Sequence, residues 1–264
     1  MKLVNPEPKP TPLGGAELAQ IQALALRQRR AGGVLMKAVN LAGGQVEDGL
    51  NLLPAKTRKL IESRARTALS QAYNLAERSR GQSLLHRPFA SDGAHRAVSV
   101  VTGALGGLGG LPTALAELPV ATMVIFRAIQ GVAESYGEDP TADDTRLEVL
   151  RVFGAGGPGK DDDGIDTAFI GARMALSGPA VNSLITKIAP KFAAQISQKL
   201  ASQAVPIIGA VAGAGVNYVF TTYYTEIAHV HFGLRQLGRA HEQDEVLGHF
   251  HKMLAKDKLA FKKG

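Results

Sequence analysis

The stretch AVSVVTGALGGLGGLPTALAELPVATMVIFRAIQGVAESYG, residues 97–137, decides how this chain folds. Between Arg96 and Arg127 it holds a single charged residue, Glu117, so its length alone would allow it to cross a membrane. Glycines and two prolines interrupt the apolar run, however, and one spanning helix describes it poorly. We predict instead a helical hairpin that bends at GGLP and again at ELP. Such a hairpin either lies buried in a soluble core or dips shallowly into a bilayer.

A second nearly uncharged stretch, LASQAVPIIGAVAGAGVNYVFTTYYTE, covers residues 200–226. Its Gly209 and Gly213 form a G-x-x-x-G pair, a pattern that favours close crossing of two helices. Asn217 and a group of threonines and tyrosines lower the hydropathy below that of a typical membrane-spanning segment. Because the chain has 30 glycines, no Trp and only 5% aromatic residues, small side chains must do much of the packing.

The rest of the chain also carries helical periodicity. Apolar residues recur at three- and four-residue spacing over 16–41, where Gly32 and Gly33 interrupt the run, and over 55–80. Sustained alternation of the strand type is missing, so we predict an all-α fold, a multi-helix bundle with glycine-rich helical hairpins. The helix over 55–80 should bury one face, which consists of Leu60, Ile61, Ala65, Ala68, Leu69, Ala72, Leu75 and Ala76.

We expect four parts along the chain. Residues 1–15 form a flexible proline-rich arm, and 16–54 form an N-terminal helix with a connector. Residues 55–240 form the main helical domain, and 241–264 form a charged C-terminal helix or tail.

The stretch RVFGAGGPGKDDDG, residues 151–164, matches both the G-x-G-x-x-G dinucleotide pattern and the G-x-x-x-x-G-K phosphate loop. Either loop needs a strand before it, whereas the preceding DDTRLEVLRVF has helical spacing. Asp161 also stands where a Ser or Thr would bind magnesium, and two more aspartates follow it. We therefore predict an interhelical loop and no bound nucleotide.

The chain has no Cys, which excludes disulfides and thiolate metal sites. Five of its seven histidines lie within residues 226–263, where Glu226 and His229 have the E-x-x-H spacing of carboxylate-bridged iron sites. Only one copy of that motif occurs, and His241 with Glu245 is suited to a simple pair on one helix face. We interpret these histidines as polar helix residues and predict neither a metal nor another cofactor.

The positive charge is concentrated near the N-terminus. Residues 1–96 contain 15 Lys and Arg against 7 Asp and Glu, while the remainder contains 15 against 16. Such a basic third suits an anionic partner, and without zinc-finger spacing or an aromatic–basic RNA motif we do not expect nucleic acid. A lipid surface and a simply solvated face both stay open. The residues that would contact the anionic surface are Arg58, Lys59, Lys187 and Lys191.

Two runs resemble the signature of the EcsC family: GGLGGLPTALAELPVATMVIFRAIQGVAESYGEDP, residues 106–140, and AVPIIGAVAGAGVNYVFTTYYTEIAHVHFGLRQL, residues 204–237. The resemblance covers roughly residues 55–240. It implies a bacterial helical protein that is cytoplasmic or membrane-associated, in a family named for a gene next to an ABC exporter. The recurrent polar residues of the family correspond here to Glu117, Arg127, Asn217 and Arg235.

These polar residues have two interpretations. Since an isolated buried ion is costly, Glu117 could pair with Arg127 across a bend, or with Arg235, and so fix the packing of two hairpins. Alternatively, Arg127 or Arg235 could lie at the mouth of an apolar cavity and bind an anionic head group.

The sequence lacks a G-x-S-x-G elbow and an H-E-x-x-H motif, so an enzyme, for which a hydrolase is the alternative, is not expected. We expect a protein peripheral to the inner membrane on its cytoplasmic side. It would bind acyl chains or the anionic surface through its apolar hairpins and basic N-terminal third. The alternative from a different class is an adaptor that docks on a membrane-protein complex such as an ABC transporter. The sequence leaves the oligomeric state open.

Overall fold

The computed structural model describes residues 11–41, 54–78, 96, 100, 110–155, 181–190, 192–193 and 206–261. Within these ranges the chain forms helices and no strand, which confirms the predicted all-α, multi-helix bundle. The helices are α1 (Gly15–Leu41), α2 (Ala55–Arg78), α3 (Gly110–Ser135), α4 (Asp143–Ala155), α5 (residues 181–190), α6 (Pro206–Ala240) and α7 (Gln243–Phe261).

The long helix α6 organises the bundle. It packs against α1, α3, α4 and α7. Helix α2 packs against α3 and α4. The aromatic centre lies where α4 meets α6: the ring of Phe153 is 5.0 Å from that of Tyr224, 5.6 Å from that of Phe192 and 6.1 Å from that of Phe126. Such offset and edge contacts stabilise a core beyond the area that they bury.

The first two helices follow the predicted periodicity. Helix α1 runs as one element through Gly32 and Gly33, which interrupt the apolar run but not the helix. Helix α2 begins directly after Pro54, whose carbonyl accepts hydrogen bonds from the first turn. On its inner face Ile61, Ala65, Ala68, Leu69 and Ala72 are buried as predicted, and Leu75 and Ala76 lie outside the described side chains. Leu60 is 43% exposed, so its predicted burial is wrong: it lies at the edge of the apolar face.

At ELP the chain forms no turn between two helices, so the predicted hairpin does not fold back there. Helix α3 continues through Pro119 as one element, and it begins at Gly110, beside the first predicted bend. A proline in a helix removes one hydrogen bond, and here the packing of α3 against α2, α4 and α6 maintains the helix. Residues 101–109 lie outside the described part of the chain. None of the described helices is both long and apolar enough to cross a membrane.

Helix α4 confirms the prediction that a helix, rather than a strand, precedes Gly154. Every residue from 145 to 154 is buried, so α4 is surrounded by protein on all sides. A helix in this position normally has only apolar residues, yet α4 carries three charged side chains inside this run, Arg146, Glu148 and Arg151. The bundle must therefore supply their counter-charges.

Small residues allow close helix contacts, as the composition predicts. A Cβ atom placed on Gly233 of α6 would lie 2.8 Å from Leu24 of α1, and one placed on Gly154 would lie 2.8 Å from Ile188 of α5. The predicted crossing at Gly209 and Gly213 falls on side-chain positions outside the described set.

The end of the predicted flexible arm is held in place. Thr11 donates its backbone amide and its hydroxyl to the carbonyl of Ala240 at the end of α6. His241 contacts the Thr11 carbonyl at 2.8 Å through Nδ1, so its predicted pairing with Glu245 does not occur. Residues 1–10 of the arm lie outside the described part of the chain.

Candidate functional site

Helix α6 carries two clusters of charged side chains on different sides. The first, which we name the Glu148 cluster, consists of Glu138, Glu148, Arg151, His231, Arg235 and Arg239. The second, which we name the Glu226 cluster, consists of Arg27, Arg96, Tyr136, Thr222, Glu226 and His229. At about 100° per residue, the two sets project from largely opposite faces of α6.

Glu148 is the centre of the first cluster, and its side chain is only 5% exposed. One carboxylate oxygen accepts hydrogen bonds from Arg151 and, at 3.1 Å, from Arg235. The other lies 2.8 Å from Nε2 of His231, which is 1% exposed. Because an ionised carboxylate only accepts, Nε2 must carry a proton. The second ring nitrogen, Nδ1, is buried and has no hydrogen-bond partner in the described part of the chain.

These contacts keep Glu148 ionised. Burial alone would raise the pKa of its carboxyl group. The hydrogen bond from His231 and the charges of His231, Arg151 and Arg235 outweigh that effect, so the pKa lies below its ordinary value. Glu148 therefore acts as the buried counter-charge for the cations around it.

Glu138 extends this cluster to the surface. Its Oε1 accepts hydrogen bonds from Arg235 at 2.9 Å and from Arg239 at 2.8 Å. Arg239 also donates to the backbone carbonyl of Tyr136 at 2.9 Å. Since Tyr136 and Glu138 lie in the turn between α3 and α4, the two arginines fasten this turn to α6.

The Glu226 cluster has looser contacts. Glu226 lies 3.3 Å from Nη1 of Arg27 on α1 and 4.0 Å from Nη2 of Arg96. Next to it, Nδ1 of His229 lies 3.3 Å from the hydroxyl of Tyr136. Burial raises the pKa of Tyr136; the charge of Arg27 opposes this rise and that of Glu226 adds to it.

Three buried polar atoms of this cluster have no hydrogen-bond partner in the described part of the chain. They are Nη1 of Arg27, Nε of Arg96 and Oγ1 of Thr222. Nη1 of Arg27 is close enough to Glu226 for an ion pair, but it does not point so as to form a hydrogen bond. Other helical threonines, such as Thr225 and Thr122, donate to the carbonyl one turn earlier. Thr222 is thus an exception that lies one turn before Glu226.

Three of the four polar residues transferred from the family resemblance have described side chains. Arg235 joins Glu138 and Glu148, which sequence reasoning did not identify as its partners. Arg127 is half-buried, and burial lowers its pKa. Asn217 is buried on α6. The side chain of Glu117 lies outside the described set, so its predicted pairing stays a prediction; Glu117 and Arg127 belong to the same helix, α3.

The residues predicted to meet an anionic surface lie on separate helices. Arg58 and Lys59 are exposed in the first turns of α2, and Lys187 is exposed on α5. Lys191 lies outside the described residues. Around Arg58 and Lys59 the structure adds the exposed Lys56, Leu60 and Arg64, so we name this set of five the basic face of α2.

Sequence reasoning did not find the two clusters as such. It noticed Glu226, His229 and Arg235, but it assigned no role to Glu148, Arg27 or Thr222. Charged residues at helical spacing on α4 indicate a solvent-exposed face, and only the surrounding helices reveal that this face is buried. Among the described residues, no group of three metal-binding side chains lies close enough to hold a metal ion.

Comparison with known proteins identifies the family. Residues 29–237 match the EcsC protein family, and the match begins inside α1, earlier than the boundary expected at residue 55. Comparisons with curated proteins and with solved structures found no match. Because the matched region is well over half of the 264 residues, the chain belongs to the EcsC family.

Proposed function

We propose that this protein binds the anionic surface of a membrane through the basic face of α2, and that it acts there as a binding protein rather than as an enzyme. The observation that carries this proposal is the exposed Leu60, which is surrounded by exposed cations on a helix whose other face is buried in the core. An apolar side chain within a cationic patch is typical of surfaces that meet anionic lipid.

The charge of this region favours the proposal. Residues 56–66 contain five cations and one acid, Glu62, which gives a net charge of +4. Glu62 lies 3.8 Å from Arg66, which is not part of the basic face of α2, so this ion pair neutralises little of the positive charge of that face. Lys56 and Arg64 each lie four residues from Leu60, on the same helix face, and Lys59 directly precedes Leu60 in the sequence.

The expected affinity is modest and depends on salt. A cation near an anionic leaflet contributes about 1 kcal/mol, and burial of one leucine side chain adds about 1.5–3 kcal/mol at most. The electrostatic part decays over a Debye length of about 8 Å at physiological ionic strength. The protein should therefore leave the membrane when the salt concentration is raised.

Flotation with lipid vesicles tests the proposal. The protein should float with phosphatidylcholine vesicles that contain phosphatidylserine and should stay in solution with phosphatidylcholine alone. The triple variant Lys56→Gln, Lys59→Gln, Arg64→Gln should bind roughly a hundredfold more weakly, since it loses about 3 kcal/mol of attraction.

A matched control changes the same number of charges elsewhere. Arg30→Gln, Lys187→Gln and Lys252→Gln together remove three exposed cations from α1, α5 and α7. This variant should retain most of the binding. An equal loss in both variants would show that the net charge attracts the membrane diffusely and would reject α2 as the binding face.

The apolar part has its own pair of variants. Leu60→Ser should weaken vesicle binding by roughly tenfold, because the leucine no longer enters the interface. Leu26 on α1 is similarly exposed, at 46%, but it lies outside the basic face of α2, so Leu26→Ser should leave binding unchanged. If the Leu60→Ser variant and the unchanged protein bind vesicles equally, Leu60 does not contribute to membrane binding, and only the electrostatic attraction of the basic face of α2 does.

A further inference from the structure

We infer that the Glu226 cluster is a binding site for a small oxyanion, and specifically for a phosphate group held by Arg27, Arg96 and Thr222. This site lies where α6 faces α1, whereas the proposed membrane face lies on α2. The inference goes beyond the proposed function and does not depend on it, since a phosphate group can bind without a membrane.

The first argument is charge. Two guanidinium groups face one carboxylate in this cluster, so the described ionised groups leave one positive charge uncompensated when His229 is neutral. The arginine side chains are 39% and 27% exposed, which gives a ligand a route to them from solvent. A single negative charge on a ligand would balance the cluster.

The second argument is hydrogen bonding. Nη1 of Arg27, Nε of Arg96 and Oγ1 of Thr222 are donors that are buried as atoms and have no acceptor in the described part of the chain. A buried donor without an acceptor is costly, and so a ligand that supplies acceptors gains free energy on binding. The three donors come from three segments of the chain: the two arginines contact Glu226, and Thr222 lies one helical turn before it on the same face of α6.

The third argument is the chemistry of the ligand. A phosphate group presents several acceptor oxygens and negative charge, and guanidinium and hydroxyl groups are its usual partners in proteins. A metal cation would be repelled by the two arginines. An apolar ligand would leave all three donors unsatisfied.

The Glu148 cluster also has a buried polar atom without a hydrogen-bond partner in the described part of the chain, Nδ1 of His231, but that side chain is only 1% exposed, so a ligand has no route to it from solvent. There Arg235 and Arg239 donate to Glu138 at 2.9 and 2.8 Å, and both oxygens of Glu148 accept hydrogen bonds. Its carboxylates already occupy the place that a ligand oxyanion would take.

Thermal unfolding and calorimetry with inorganic phosphate test the inference. Phosphate should raise the unfolding temperature of the full chain more than chloride does at the same ionic strength. Arg96→Gln should weaken phosphate binding by about tenfold or more, because it removes a charged donor. Thr222→Val keeps the shape of the side chain, removes only the hydroxyl and should weaken binding by a smaller factor.

Glu226→Gln provides the sharpest arm. If the cluster binds an oxyanion, removal of the competing carboxylate should strengthen phosphate binding by about tenfold. If the arginines serve only to pair with Glu226, the unchanged protein should respond to phosphate no more than to chloride, and a specific response should appear only in Glu226→Gln. Arg239→Gln is the control for Arg96→Gln, because it removes an arginine from the Glu148 cluster instead. It should leave the phosphate response as in the unchanged protein.

Two outcomes would overturn the inference. One is a phosphate response of the unchanged protein that is no larger than its chloride response, whether or not Glu226→Gln responds. The other is a response that Arg96→Gln leaves intact.

A soluble short-chain phosphatidate distinguishes the two sources of a phosphate group. Binding tighter than that of inorganic phosphate supports a lipid head group as the ligand, and equal binding supports free phosphate. The Lys56, Lys59 and Arg64 triple variant should keep its phosphate response, so failure of the membrane proposal and failure of this one are separable.

Discussion

The two charged clusters on α6 contain similar residues but differ in how deeply their carboxylates are buried and how closely these carboxylates contact arginine. In the Glu148 cluster the carboxylates are nearly inaccessible, and each one accepts hydrogen bonds from arginine at 3.1 Å or less. In the Glu226 cluster the carboxylate contacts two arginines at 3.3 and 4.0 Å, and three donors have no acceptor among the residues that the structure describes. The difference teaches that arginine content does not indicate a binding site; unsatisfied donors near solvent do.

The largest effect should come from the centre of the Glu148 cluster. Glu148→Gln removes the counter-charge of Arg151 and Arg235 inside the core. Loss of one partner from a buried ion pair typically costs about 3–5 kcal/mol. Urea unfolding followed by circular dichroism should show a loss of this size.

Glu245→Gln serves as the control, because Glu245 is exposed on α7, and its stability should stay within about 0.5 kcal/mol of that of the unchanged protein. Should Glu148→Gln prove as mild as this control, the cluster would contribute nothing to the fold, and the contrast with the Glu226 cluster would fail.

Acid should reproduce part of the same loss. Because the folded-state pKa of Glu148 is lowered, its contribution to stability is fully present above the ordinary glutamate value of 4.5. It declines as the pH falls below that value towards the folded pKa, since the unfolded chain takes up the proton first. Urea midpoints measured from about pH 7 to about pH 3 should therefore fall more steeply for the unchanged protein than for Glu148→Gln. Parallel curves would contradict this role of Glu148.

A moderate effect is expected where α1 crosses α6 at Gly233. Gly233→Ala places a methyl group 2.8 Å from Leu24, and overpacking of this kind costs about 1–3 kcal/mol. Gly215 of the same helix has open space around it, so Gly215→Ala should instead stabilise the protein by up to about 1 kcal/mol. Thermal unfolding of both variants checks the opposite signs.

The smallest effect on stability should come from Glu226→Gln. Its arginine partners are partly exposed and its contacts are long, so the loss should be below about 1 kcal/mol. The same urea experiment that is used for Glu148→Gln gives the comparison directly. A loss as large as that of Glu148→Gln would make both clusters structural.

Several elements of the fold were predictable because their signals are local. The periodicity of residues 16–41 and 55–80 located α1 and α2, and the spacing of DDTRLEVLRVF showed that a helix, rather than a strand, precedes Gly154. The chain forms no interhelical turn at Pro119, because the surrounding helices compensate for the hydrogen bond that the proline removes. Leu60 was misplaced because it lies at the edge of the apolar face.

The candidate site was less predictable, since its contacts join distant residues. Arg235 was noticed through the family resemblance, but its partners Glu138 and Glu148 lie 97 and 87 positions away. His231 and Glu148 are 83 positions apart, and neither has a local signal that distinguishes it from a surface residue. The family match itself confirms membership, while the roles of Glu117, Arg127 and Asn217 as ligand-binding residues stay predictions.

The sequence by itself determined that this protein is a bundle of helices, where most of them lie and to which family it belongs. Helix formation depends on residues three and four positions apart, so the residue pattern of each segment is enough to predict its helix. The tertiary structure alone decided which charges are buried, which are paired and which donors stay unsatisfied. Burial of a charge depends on what the neighbouring helices place around it, and those neighbours are chosen by packing across the whole chain.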